Sequence, residues 1–230
     1  MIYTKVISLM KKSTFKDAIS LKINVYDNEL KFIGYLLPVG EWILSDDQKI
    51  EKIRLWRQKS MKMYLTQFDS TFEMTLNYLK TLSIAEEGRL FFLLYDDTDR
   101  FIGHLGVAEV DGTKVELDNL MRGVYGGHPR LVYFAELALL NWSFNNLGIV
   151  ESDVRVLSYN WLVVSLHEEV GYKLVDSIPL KKLLKDGITE HIPTKTDEAN
   201  VKYSCFRMVL NKNDFYGIND WLSCFEEGKC

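Results

Sequence analysis

Cysteine is scarce in this chain. The three present, Cys205, Cys224 and Cys230, are an odd number with neither a CxxC spacing nor neighbouring histidines. That pattern excludes a disulfide framework and a zinc site, so no metal is expected. Blocks of positive charge are missing as well. The formal net charge is -4 and the pI about 5.7, with no Lys/Arg-rich stretch carrying interleaved aromatics, so no nucleic-acid partner is expected. Long apolar runs are absent. Nothing approaches the roughly 18 residues of a membrane span. The apolar run in "MIYTKVISLMKKST" is too short for a signal peptide, and its basic pair follows it. The expectation is a protein of the reducing cytoplasm with no membrane partner. Internal repeats and low-complexity segments are also lacking.

What is present is core-forming material. Of 230 residues, 47% are hydrophobic and 13% aromatic, enough for one large domain or one domain with a small addition. Residues 1–45 read as short extended pieces, "AISLKINVY" and "KFIGYLLP", joined by a turn-like "DNE". "SDDQKIEKIRLWRQKSMKMY" reads as a helix, with Ser45 and Gln48 in capping-box spacing and Ile50, Ile53 and Trp56 on one stripe. "STFEMTLNYLKTLS" repeats the pattern with Ser70 and Glu73. From residue 89 the period changes to that of strands: "RLFFLLY", "FIGHLGVAEV" and "KVELDNLM", the last two joined through Asp-Gly. A Gly-rich turn, "RGVYGGHPR", leads into an almost wholly apolar helix ending at Gly148. "SDVRVLS" is a strand and "NWLVVSLHEEVGY" a helix. "GYKLV" and "VKYSCFRMVL" are the last strands, separated by the polar segment 176–200. The order specifies a mixed α/β domain around one sheet.

The strongest physical site is the junction of "VELDNLM", "RGVYGG" and the buried helix. A strand feeding a Gly-rich turn into a helix N-terminus leaves several N–H groups outward-facing, and with the helix dipole these bind phosphate oxygens. Gly123, Gly126 and Gly127 permit close backbone approach, and Arg122 adds a charge. The plainer alternative is a turn that needs glycine only for positive φ.

Taken together, "RFIGHLGV", "VELDNLMRG", the "GG" turn with its long helix, "DVRVLSYN" and "SLHEEVGY" resemble the GCN5-related N-acetyltransferases (GNAT family). The resemblance covers roughly residues 45–175, with the last strand at 202–210. "IEKIRLWRQ" is similar to a tryptophan-arginine helix that precedes the sheet in many members. The fold it implies is a single mixed, mostly antiparallel central sheet with splayed parallel strands in the middle and helices on both faces. Residues 46–230 would form the acetyltransferase domain, and 1–45 a strand-rich addition packed on it. The loop departs from the usual Gln/Arg-x-x-Gly-x-Gly/Ala pattern, since Tyr125 occupies the fourth position and Gly126 falls one later.

The activity implied is direct acetyl transfer from acetyl-CoA to a primary amine. Backbone groups near Leu120 and Met121 would bind pantetheine and polarise the thioester. Residues 122–127 would hold the pyrophosphate, and Asn160 would be a further cofactor contact. The amine must lose a proton and the departing thiolate must gain one. Glu116 and Asp118 share a face of their strand if alternation holds, with Asn119 on the other, and either is a candidate base. His167 stands where many members place the tyrosine that protonates the thiolate, although packing is the alternative for a residue at the edge of an apolar stripe. His128 reads as a cap-region residue, and His104 as a strand residue able to face the acceptor pocket.

The same resemblance points to members acting on nucleotide-linked amino sugars, so a small-molecule amine of that kind is the expected acceptor. A protein N-terminus is the alternative, as is a GNAT-like acyl-CoA-binding protein without catalysis, or an unrelated nucleotide-binding α/β domain. Residues 1–45 and 176–200 are candidates for acceptor-pocket walls or a homodimer contact.

Overall fold

A computed structural model describes residues 2–222. In chain order it contains α1 (Ile2–Met10), α2 (Phe15–Ile19), β1 (Ile23–Tyr26), β2 (Phe32–Pro38), α3 (Asp47–Lys59), β3 (Thr66–Gln67) and α4 (Phe72–Tyr78), which continues as a π-helical turn over Leu79–Ile84. Then follow β4 (Leu90–Asp96), β5 (Phe101–Ala108), β6 (Lys114–Arg122), α5 (Leu131–Asn146), β7 (Glu151–Leu157), α6 (Trp161–Val170), β8 (Lys173–Lys185), β9 (Ile188–Pro193), β10 (Ser204–Asn211) and α7 (Lys212–Ile218). The strands form one mixed sheet in the order β1-β2-β4-β5-β6-β7-β10-β8-β9-β3. Every pairing is antiparallel except β6 with β7.

Two apolar layers sandwich the sheet. On one face α5, apolar nearly all round, packs Leu137, Leu140 and Phe144 against Phe92, Leu105, Val154 and Met208, with α1, α6 and α7 alongside. On the other, Ile50, Ile53 and Trp56 of α3 meet Phe91, Leu93, Phe101 and Met121. The stripe expected for α3 is therefore its buried face.

Several elements differ from the sequence expectation. The extended pieces expected in residues 1–45 are preceded by two helices, and β1 and β2 are outer strands of the main sheet. Both caps sit one residue later than expected: Asp46 accepts from the Lys49 N–H and Thr71 from the Met74 N–H. Asp46 and Thr71 are as suited to capping as the serines before them, so spacing alone could not separate them. The polar segment 176–200 is not irregular but largely a hairpin of β8 and β9, paired from Leu180–Pro193 to Lys185–Ile188. β9 in turn pairs with β3, and His191 locks that contact. Its backbone N–H and Nδ1–H both donate to the Leu65 carbonyl, at 3.0 and 2.8 Å, and its Nε2 accepts from the Tyr203 hydroxyl at 2.6 Å.

Helices α5 and α6 are tied by a buried polar pair. Glu136 of α5 accepts from His167 Nδ1 of α6 at 2.7 Å, and both side chains are almost fully enclosed. Replacing Glu136 by Ala removes this acceptor and opens a cavity, so urea unfolding should show a loss on the order of 2–4 kcal/mol. Glu136→Gln keeps a carbonyl acceptor and should cost less than about 1.5 kcal/mol. Equal losses for the two variants would mean the hydrogen bond is not what joins the helices.

Candidate active site

The parallel pair holds only from Lys114–Glu151 to Glu116–Asp153. Beyond it β6 and β7 separate, leaving a cleft whose β6 side has no partner strand. The cause is a bulge in β6. His104 pairs with Met121 and Gly106 with Asp118, so Asn119 and Leu120 together oppose Leu105. Asn119 adopts φ +55° to accommodate the extra residue, and such a kink re-aims the strand and its side chains. Alternation therefore fails here, and the expectation that Asn119 lies opposite Asp118 is corrected. Asn119 Nδ2 donates to Asp118 Oδ2 at 2.6 Å and to the Tyr78 hydroxyl at 2.7 Å.

The two candidate bases have different surroundings. Asp118 is engaged by the Arg89 guanidinium and accepts from the Asn119 N–H at 2.7 Å. Glu116 stands at the point where the strands part, its side chain 17% exposed and 3.3 Å from Arg155. Burial raises its pKa to about 7, with Arg155 opposing that rise. A carboxylate that titrates near neutrality can both hold and release a proton there.

At the end of β6 the chain enters the Gly-rich loop. Gly123 is dictated by packing, since a Cβ there would lie 1.9 Å from the Trp56 ring. Gly126 has φ +129° and Gly127 φ +66°. A Cβ on Gly126 would fall 2.0 Å from the Arg100 guanidinium. Among the described residues the N–H groups of Tyr125, Gly126, Gly127 and His128 have no hydrogen-bond partner, and α5 begins without a side-chain cap. This is a cradle of N–H donors at a helix N-terminus. Arg122 is turned inward, its guanidinium donating to the carbonyls of Gly126 at 2.7 Å and Pro129 at 3.0 Å. It braces the loop, and the charge beside the cradle comes from Arg100, which also pairs with Asp96 at 2.8 Å. His128 Nδ1 accepts from the Arg130 N–H at 3.2 Å, a cap-region role.

Leu120 and Met121 lie just past the bulge on the cleft strand. Asn160 caps α6 through its backbone, its carbonyl accepting from Val163 and Val164 while its side chain makes no capping bond. His167 is three per cent exposed and bonded to Glu136 through Nδ1, which leaves Nε2 as its only atom for proton transfer.

A pocket of about 300 Å³ opens under the bulge, between α3, α4 and the sheet. Phe68, Met74, Tyr78, Phe91, Arg57 and His104 are among its lining residues. Sequence reasoning missed Arg57, Tyr78 and Arg100 as site residues. Arg57 adjoins the Trp56 stripe, but nothing in the pattern says which way a residue beside a stripe is turned. Cys205 is a buried free thiol, and Cys224 and Cys230 lie outside the described residues. Among the described residues no cluster of three or more His, Cys, Asp or Glu could hold a metal, and no helix is long and apolar enough to cross a membrane.

A central sheet whose one parallel pair among the described residues splays beside a bulge and a Gly-rich loop defines a class: the chain has the fold of the GCN5-related N-acetyltransferases. No family model matches the chain, and no curated protein does, but solved structures do. It is similar to FdhC, described as a nucleotide-linked sugar GNAT, at 12% identity over 90% of this chain and 97% of that one, TM-score 0.59. A GCN5-related N-acetyltransferase from Brucella melitensis matches at 12% identity over 87% and 86%, TM-score 0.61. Spermidine N-acetyltransferase from Vibrio cholerae, solved with CoA and spermine, matches at 14% over 74% and 93%, TM-score 0.58.

Gly123→Ala should overpack the Trp56 contact and lower stability by about 1–3 kcal/mol in urea unfolding. An unchanged midpoint would show that the loop is not seated on Trp56 as described.

Proposed function

We propose that the protein is an acyl-CoA-dependent N-acetyltransferase that moves an acetyl group from acetyl-CoA to a primary amine of a small molecule. The observation that carries this reading is the β6–β7 cleft opening beside four unpaired loop N–H groups. A linear thioester with an anionic tail would lie with pantetheine against the open edge of β6, near Leu120 and Met121. Its pyrophosphate would take the N–H groups of the 122–127 loop and the first turn of α5, and Asn160 would contact it from the β7 side. Arg122 holds the loop's shape, while Gly123, Gly126 and Gly127 keep its surface bare of side chains.

In the reaction the amine, deprotonated, attacks the thioester carbonyl, the oxyanion is held by β6 backbone N–H, and the tetrahedral species collapses to amide and thiolate. Glu116 is the proposed base, taking the ammonium proton directly or through water; Asp118, already paired with Arg89, orders Asn119 and the bulge. His167 is the proposed acid for the thiolate: as the imidazolium it gives its Nε2 proton while Glu136 accepts from Nδ1–H, and it is left as the Nδ1–H imidazole. The reading of an amino sugar on a nucleotide carrier as acceptor is supported by the similarity to FdhC, described as a nucleotide-linked sugar GNAT.

Acetyl-CoA at about 100 times its Kd should stabilise the fold by roughly 2.7 kcal/mol, visible as a rise in Tm. Gly126→Glu should abolish that rise, because it puts a side chain and a negative charge into the cradle; a retained rise places the cofactor elsewhere. On a turned-over amine, kcat/KM should fall as pH drops below about 7, where Glu116 becomes protonated. Glu116→Gln should lower kcat/KM by about 10²–10⁴-fold and flatten that limb. A limb unchanged in Glu116→Gln assigns the proton to another group. Tight acetyl-CoA binding with no CoA release on any amine would instead identify a binding protein.

A further inference from the structure

Two residues lining the pocket beneath the bulge carry a buried unmatched donor and a buried unmatched acceptor. Its walls are largely apolar, and no aspartate or glutamate is among them. Arg57 projects from α3 into this lining, its guanidinium face lying 4.2 Å from the Tyr64 ring centroid and 5.3 Å from that of Phe68. Stacking uses the face of the guanidinium and leaves its N–H edge unspent. Its Nε is buried without an acceptor.

Every other arginine among the described residues has an oxygen partner. Arg54 meets Glu51, Arg89 Asp118, Arg100 Asp96, Arg130 Glu169, Arg155 Glu116 and Arg207 Asp153, and Arg122 holds two loop carbonyls. Arg57 alone of these residues is left with none. A guanidinium edge in a partly dry pocket is a fork for a carboxylate or phosphate.

His104 supplies the complementary half. Its Nδ1 lies 2.8 Å from the Asn119 carbonyl oxygen. A carbonyl only accepts, so Nδ1 carries the hydrogen and Nε2 presents a lone pair. The residue is two per cent exposed, and burial lowers its pKa to about 4, which keeps that lone pair available at neutral pH. Nε2 is buried and unpartnered, while Phe91 at 4.9 Å and Trp56 at 6.3 Å hold the ring in place. A neutral O–H or N–H donor would satisfy it.

We infer that the acceptor is an amine bearing an anionic group, carboxylate or phosphate, with Arg57 binding the anion and His104 Nε2 accepting a hydrogen bond from a hydroxyl or N–H of the same molecule. The inference rests on the N-acetyltransferase reading and narrows it. It separates this chain from its polyamine-acetylating structural relative, because a polycation would meet Arg57 with no carboxylate in the lining to offset it. A free amine on an anionic small molecule meets both unmatched groups at once.

Four probes resolve the sources of charge: glucosamine 1-phosphate, muramic acid (a carboxylate-bearing amino sugar), glucosamine and spermidine. Each is read twice on the full chain, by CoA release from acetyl-CoA and by calorimetric binding to the CoA-loaded protein. The expected result is at least about a 10-fold advantage for one anionic probe over glucosamine and spermidine, which identifies phosphate or carboxylate as the preferred anion. Arg57→Gln should collapse that advantage, and Arg57→Lys should restore only part of it, since a single ammonium cannot reproduce the fork. His104→Phe should weaken the same probe at unchanged CoA affinity, and that affinity also reports that each variant has folded. Spermidine or glucosamine bound or turned over as well as the anionic probes would overturn the inference and leave the transferase reading standing. Anionic probes bound through Arg57 with no CoA release on any amine would leave the anion site standing and overturn the transferase reading. Arg57→Gln, folded and with the advantage intact, overturns the role of Arg57.

Discussion

One extra residue in β6 organises this molecule. Because Asn119 and Leu120 together face Leu105, the strand bends away from β7 after two residues of true parallel pairing beyond Lys114, and the cleft exists. The same bulge swings the Asn119 carbonyl onto His104 and its amide onto Asp118 and Tyr78. A backbone irregularity is thus converted into three side-chain positions. A bulged strand leaves ladder groups unpaired, and here the Asn119 carbonyl is bonded by His104 of β5 and its N–H by the Asp118 carboxylate rather than being left exposed.

Helix α3 links the two halves of the site. Trp56 fills the space that Gly123 leaves open, so the loop following β6 rests on an indole ring. Arg57, the next residue, turns aside and lines the pocket under the bulge. Adjacent residues on a helix point about a third of a turn apart, so one short segment supports the loop after β6 and brings a positive charge to the pocket under the bulge. Burial raises the Glu116 pKa at the point where the two strands part, against the pull of Arg155.

Much of this was legible in the sequence. The change from helical to alternating period at residue 89, the Asp-Gly turn, the Gly-rich turn and the apolar α5 gave the central fold and the loop in their correct order. Glu116 and Asp118 do share a face. Illegible were features that depend on contacts between distant segments. Nothing in "ELDNLM" marks Asn119 as a bulge, because a positive φ on asparagine is set by the strand opposite. The inward turn of Arg122 depends on loop carbonyls seven residues away, and the unpaired state of Arg57 on where every carboxylate in the fold has gone. The hairpin of β8 and β9 was hidden because its apolar residues do not alternate cleanly with polar ones: Leu183 and Leu184 are adjacent and both exposed, among lysines.

That hairpin ties distant parts of the chain into the pocket. Thr66, in the pocket lining, belongs to β3, and β3 has a single partner strand, β9, to which His191 also fastens Leu65. The pocket's outer wall therefore joins residues separated by more than half the chain. Such pairings are slow because a long loop must close before they form. During synthesis the loop after β6 and helix α5 emerge well before β9 leaves the ribosome. The wall that β3 and β9 build is then completed late in synthesis, together with β10, which supplies the antiparallel partner of β7 on the other side of the cleft.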